Sequence, residues 1–225
     1  MINKPELTEK EIQQNYEEVI KFVSDTFSGE RKEKILFMFS ENELGLELAT
    51  APASMNEEWH NCFSGGFGIH SMNVIKVSFG IKKLFKMMGG NVDFTDEELS
   101  FSGLFHDLGK LGMPHEGPYY IPQDEDWKRK RGEIYKMNPN IQYMDVTDRA
   151  LFILQYYGIK TTWKEVLGIR LSDGLYKESN KAYLVQFKTE LFLKTNLPRI
   201  IHIADYISSC SERDLINSLP NVEPE

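Results

Sequence analysis

Three times in this chain a threonine is followed three residues later by a glutamate and then by apolar residues at helical spacing. The pairs are Thr8 with Glu11, Thr95 with Glu98, and Thr162 with Glu165. Such a pair caps a helix reciprocally: the hydroxyl accepts from a backbone N–H of the first turn, and the carboxylate accepts from the N–H of the capping residue. Each pair therefore predicts a helix start. After the first come Ile12, Tyr16, Val19, Ile20, Val23 and Phe27, with a stop at Ser28-Gly29. A second short helix is expected over 31–40. Ile69, Val74, Val77, Ile81, Leu84, Phe85 and Met88 mark an amphipathic helix closed by Gly89-Gly90. The second pair opens a helix ending at His106-Asp107, and the third a short helix stopping at Ser172-Asp173-Gly174. Further helices are expected over 145–157 and after Pro198, which suits an early helical position. Residues 43–68 read as a loop, and 182–187 alternate weakly, as a short strand or extended segment would. The expected fold class is all-α.

Composition narrows the function classes. The net charge of −8 and pI near 5.3 argue against broad binding to duplex nucleic acid or to an anionic membrane. The two cysteines, Cys62 and Cys210, are far apart and in no metal-binding spacing. They read as free thiols in a reducing cytoplasm, which is the expected location. The N-terminus lacks the apolar core of a signal peptide, and no stretch approaches a membrane span. The longest irregular stretch, 111–140, holds prolines, Tyr119, Tyr120, Trp127, Tyr135 and the run Lys128, Arg129, Lys130, Arg131. A long loop in a compact domain is usually functional or disordered, and aromatic content argues against disorder. A lid that stacks on a base and holds phosphates fits it, as does a solvated basic turn with tyrosines packed on the core.

The residues that carry chemistry stand on the apolar helices. His106 and Asp107 sit side by side at the end of an apolar run, where a carboxylate is rarely placed unless paired or ligating. An imidazole beside a carboxylate suits a divalent metal, and equally an exposed pair at a helix end. Gly109 is expected to end this helix. Lys110 follows, with its side chain free to swing toward the open face of the metal and meet an anion. His70 lies in the first turn of its helix, after Gly65-Gly66, which let backbone approach a neighbour or a ligand. Standing alone, it reads as a hydrogen-bonded core histidine. Asp205 sits in the middle of IHIADYIS and needs a partner, for which a metal ion is one answer and a surface role another.

Taken together, GGFGIHSMNV, HDLGK and IHIADYIS resemble, in order, the motifs of the HD-domain metal-dependent phosphohydrolases. The first is similar to the first-histidine motif of HD domains attached to some exoribonucleases. The resemblance implies an HD-like helical bundle with a long, partly extended loop after the HD pair. It implies N-terminal helices over 1–45, an HD domain over 46–214 and a frayed acidic tail over 215–225. It also implies one tightly bound divalent ion (Mn, Co, Ni, Fe, Zn or Mg) on His70, His106, Asp107 and Asp205. Lys110 and Asp107 are the expected catalytic groups, with Asp173 as general base or outer support. Arg149, Tyr119 and the Lys128–Arg131 run are candidate substrate contacts. GIRLSDGLY carries Ser172 where family members often have histidine, which argues against a second, fully ligated metal. The implied activity is hydrolysis of a phosphate ester or anhydride of a small-molecule nucleotide. The alternatives are a phosphodiesterase for a cyclic nucleotide or short oligonucleotide, and a catalytically silent nucleotide-binding module.

Overall fold

A computed structural model describes residues 6–218. Its architecture is all-α with one small two-stranded sheet. The helices are α1 (Glu9–Thr26), α2 (Gly29–Met38), α3 (Gly45–Thr50), α4 (Gly66–Met87), α5 (Asp96–Phe105), α6 (Asp126–Arg129), α7 (Val146–Tyr156), α8 (Trp163–Arg170), α9 (Lys181–Leu184) and α10 (Leu197–Ser218). All three threonine–glutamate pairs are complete capping boxes at the starts of α1, α5 and α8. The capped helices are thereby relieved of part of their unsatisfied N–H groups.

Burial follows from the apolar spacing. Val19 and Val23 of α1, Ile35 and Met38 of α2, Phe67 of α4, Phe101 and Phe105 of α5 and Ile153 of α7 belong to one buried cluster. The N-terminal helices thus share the main core rather than forming an appendage. Arg31 of α2 ties the layers together. Its guanidinium donates to Glu97 of α5 and to Glu165 of α8, at 2.7 and 2.6 Å, and lies 4.2 Å from the centre of the Phe101 ring. A second cluster packs Leu99 of α5 against Leu197, Ile200 and Ile201 of α10. α10 therefore runs along α4 and also touches α5.

Two expectations about the chain path need correction. The 43–68 loop contains α3, which the sequence hides because its six residues are too few to show a period. The 182–187 segment is not extended: Ala182 to Leu184 belong to the short helix α9. Within 111–140, β1 (Tyr120–Pro122) pairs antiparallel with β2 (Tyr135–Met137), and α6 lies between them. This hairpin is seated on the 51–64 segment, with Ile134 and Tyr135 N–H donating to the Met55 carbonyl and Glu57 N–H to that of Gly132. The expected frayed tail is helical as far as Ser218; 219–225 and 1–5 lie outside the described residues. Among the described residues no helix is long and apolar enough to cross a membrane. Cys62 and Cys210 form no disulfide.

Candidate metal centre

Four elements bring the centre together. His70 comes from the first turns of α4. That helix can begin where it does because Gly65 has φ 85° and because Gly66 lies against the Asn61 carbonyl, which a Cβ would meet at 2.1 Å. The close neighbour anticipated for the glycine pair is thus the chain's own loop. His106 caps the C-terminus of α5, and Asp107 follows as the chain turns into a 3-10 helix over Leu108–Leu111. Asp205 stands on α10.

Gly109 plays a different part from the one expected. The helix has already ended at Phe105, and Gly109 lies inside the following 3-10 turn. A Cβ there would sit 2.0 Å from the Val146 carbonyl oxygen, so glycine is needed for α7 to approach. Arg149 of α7 holds the same junction. It is buried, its Nη1 donates to the Gly109 carbonyl at 3.2 Å and its Nη2 to that of Gln142 at 3.1 Å, and its guanidinium lies 4.6 Å from the Tyr119 ring centre. Both terminal nitrogens thus hold backbone at this junction, while Nε has no partner.

The histidine tautomers follow from their outer partners. His106 Nδ1 lies 2.8 Å from the Gly103 carbonyl, which can only accept, so Nδ1 carries the hydrogen and Nε2 presents a lone pair. His70 Nδ1 lies 3.0 Å from a Glu212 carboxylate oxygen, again an acceptor. The two Nε2 atoms then face one another at 3.3 Å. Asp205 Oδ1 is 3.1 Å from His70 Nε2 and 3.8 Å from His106 Nε2. Asp107 Oδ2 is 3.4 Å from His106 Nε2 and 3.8 Å from that of His70. Two such nitrogens flanked by two carboxylates are offset either by protons on the rings or by a cation between them. Around an ion with bonds of about 2.1 Å, adjacent ligand atoms lie about 3.0–3.4 Å apart, so His70, His106 and Asp205 fit a divalent ion, while Asp107, held by Lys110 at 2.6 Å, stands beside that group. His70, His106 and Asp205 are close enough to share one ion.

The same demand shows in the titration of the groups. Burial disfavours charge on His70, but hydrogen bonds to Asp205 and Glu212, together with their charges, outweigh it and push its pKa up to about 10. His106 is raised as well, burial being overcome chiefly by Asp107. Asp107 is held well below the usual carboxylate range: burial opposes this, and Lys110 and His106 override it. A proton on the imidazoles thus does the work of the positive charge that a metal ion would bring.

Lys110 is clamped, contrary to the free swing expected of it. Its Nζ lies 2.6 Å from Asp107 Oδ2 and donates to the Ala53 carbonyl at 2.7 Å. It still lines the cavity in front of the centre, with Asp107, Asp205, Asp173 and Tyr119. Asp173 faces this cavity, and its carboxyl is pushed up by burial and by the nearby Asp107 charge. Lys128 and Arg129 are engaged by Glu125 and Asp126, while Lys128 and Arg131 flank the Trp127 ring. Neither these residues nor Lys130 lines the cavities beside the centre.

Two site residues escape a reading of the sequence. Glu212 orients His70 and also accepts from Asn73. The signal that could have found it is its seven-residue spacing from Asp205, which puts both acids on one face of α10. His60 comes from the 51–64 loop and lies with its ring centre 4.5 Å from that of His70. Burial, reinforced by the charges of His70 and Lys110, depresses its pKa to about 2, so it is a neutral imidazole. No periodicity marks it.

Compared with protein-family models, with curated proteins and with solved structures, the chain gives no significant match.

Proposed function

We propose that this chain is a metal-dependent phosphohydrolase of the HD type, acting on a phosphate ester of a nucleotide. The observation that carries the proposal is the convergence of two imidazole Nε2 atoms and two carboxylates from the first turns of α4, the C-terminal end of α5 and the body of α10, beside a cavity that also holds a lysine. His70, His106, Asp107 and Asp205 are the residues that would hold the ion. A divalent ion in such a set supplies Lewis-acid polarisation of a phosphoryl oxygen and lowers the pKa of a water.

The remaining steps belong to the protein's own groups. Lys110, fixed by Ala53 and Asp107, presents a positive charge to a phosphoryl oxygen without having to reorganise, which is how fixed charges lower barriers. Asp173, whose raised pKa brings it nearer to neutrality, is the group that takes a proton from water or gives one to the leaving oxygen. His70 and His106 are kept in the ligating tautomer by Glu212 and by the Gly103 carbonyl.

The test is a metal analysis of the purified protein, followed by a phosphate-release screen over nucleoside phosphates and their esters with Mn²⁺, Co²⁺, Ni²⁺, Fe²⁺, Zn²⁺ and Mg²⁺. The proposal expects tightly bound metal, its loss in His106→Ala, and metal-dependent hydrolysis. A protein that binds none of these ions, or that hydrolyses nothing when loaded, overturns it.

A further inference from the structure

Asp173 stands between two cavities, of about 350 and 700 Å³, and lines both. Its carboxyl is not gripped from outside. Among the described residues Asp107, Lys110, Asp205 and Lys177 act on it through charge, and no hydrogen bond fixes it. A proton passes only over hydrogen-bond distances, so the backbone that carries Asp173 has to place it.

That backbone is the turn over 172–174, between α8 and a 3-10 turn over Gly174–Tyr176. Three side chains hold it. Asn180, buried, donates to the Gly174 carbonyl at 3.0 Å. Lys177, just beyond the turn, reaches Asp145 at 2.8 Å and the Thr147 hydroxyl at 3.2 Å, which ties the segment to the start of α7. The third is His202 of α10. Its Nδ1 lies 2.8 Å from the Ser172 carbonyl, which can only accept, so Nδ1 is the donor. The same ring occupies the space over Gly174, where a Cβ would meet it at 2.1 Å. With φ 53°, the turn needs glycine here for its backbone as well as for this contact.

His202 precedes Asp205 by three residues, which on a helix puts both side chains on one face, a turn apart. Of the three ties, this is the one that joins Asp173 to an element carrying a proposed metal ligand. Resting on the phosphohydrolase proposal, we propose that His202 is a positioning residue: it clamps the 172–174 turn to α10 and so holds Asp173 at a fixed place relative to Asp205. His202 passes no proton itself, because its Nδ1–H stays on the Ser172 carbonyl. What it supplies is register, and a misplacement of about 1 Å can cost about 10²-fold in rate.

The test compares two variants in metal-loaded protein, on the nucleotide ester hydrolysed fastest in the phosphate-release screen. His202→Ala loses the donor and the ring. His202→Asn keeps a donor near the place of Nδ1. In His202→Ala kcat is expected to fall about 10²-fold with KM and metal content held, since the loss falls on the transition state. Most of it should return in His202→Asn. In an Asp173→Asn background, His202→Ala should cost almost nothing more, because the group it positions is already gone. A histidine that only packs would lower the melting temperature and lose rate equally in both backgrounds. Amide exchange reads the clamp without turnover. The Gly174 and Tyr176 N–H groups donate to the Leu171 and Asp173 carbonyls, and they should exchange faster in His202→Ala but near the native rate in His202→Asn. An unchanged kcat in His202→Ala, equal losses in both backgrounds, or unchanged exchange at these amides overturns the clamp and leaves the phosphohydrolase proposal standing. A metal-loaded wild-type protein that hydrolyses nothing sinks the phosphohydrolase proposal, and the positioning role with it, whatever the exchange shows.

Discussion

At the residue scale, outer partners decide what the ligands can do. Glu212→Gln keeps an oxygen to accept from His70 Nδ1 but removes the charge behind the ring. Metal affinity is expected to fall about 10–100-fold, as is typical of outer-shell changes. Competition with a chelating dye checks this. Lys110→Ala takes a partner from Asp107 and from the Ala53 carbonyl at once. It should cost about 1–3 kcal/mol of stability as well as about 10²–10³ in kcat. Melting curves and rates on one preparation separate the two losses, and an unchanged kcat refutes the phosphate contact. The pKa shifts have a definite sign. His70 and His106 are raised, so their contribution to metal-free stability is present below the unfolded value of about 6.5 and, for His70, is lost as pH rises through about 10. Asp107 is lowered, so its share is present above about pH 4 and lost as pH falls. Metal must then displace protons at neutral pH, and its affinity should climb as pH rises. A pH electrode in weakly buffered solution reads the release directly; no release would mean the ion binds elsewhere. The approach of His70, His106 and Asp205 to one another was legible only through the motifs taken together, because His70 alone reads as a core histidine and His106-Asp107 as an exposed pair at a helix end. Glu212 and His60 were not, because neither lies in one of those motifs and each matters only through a contact with His70 that the fold creates.

At the scale of elements, the local signals proved dependable where they were self-contained. A capping box lies within four residues, so all three could be read without knowing the fold. α3 and the β1–β2 hairpin could not, because elements of six and three residues show no period and exist through contacts with the rest of the chain. Arg31 belongs here too. Nothing in its surroundings in sequence marks it, yet it bridges α2 to α5 and α8 and is the partner of Glu165, which is buried. Arg31→Ala leaves that buried carboxylate without its cation, with only the Thr162 N–H of the capping box, and should destabilise the protein by about 3–5 kcal/mol. Denaturant melts would show this, while metal content per folded molecule should stay the same. A loss below about 1 kcal/mol, the value of a surface pair, would mean that water reaches Glu165.

For the whole molecule, the centre is a cross-link between distant parts of the chain. α4 and α10 lie side by side, and the turn after α5 closes the third side. An ion held by all three binds the folded chain and not the unfolded one. At a free concentration a thousandfold above its Kd it should add about 4 kcal/mol. Stripping the metal should lower the melting temperature and speed amide exchange in α4 and α10 together; exchange confined to one of them would refute a shared ion. The all-α class was readable at this scale from spacing alone, but the cavities beside the centre were not, since their walls combine α10 with loops whose mutual position no local rule predicts.

The partnership of His70 with Glu212, 142 residues apart, also has a meaning in time. At about 5–20 residues per second, a ribosome would take about 7–30 s to make the intervening chain. Throughout that interval the nascent protein carries His70, and then His106 and Asp107, without the acids of α10 that complete the set. On the proposed reading, the groups that would hold an ion come together only when α10 docks, so the order of synthesis makes this centre one of the last features the fold completes.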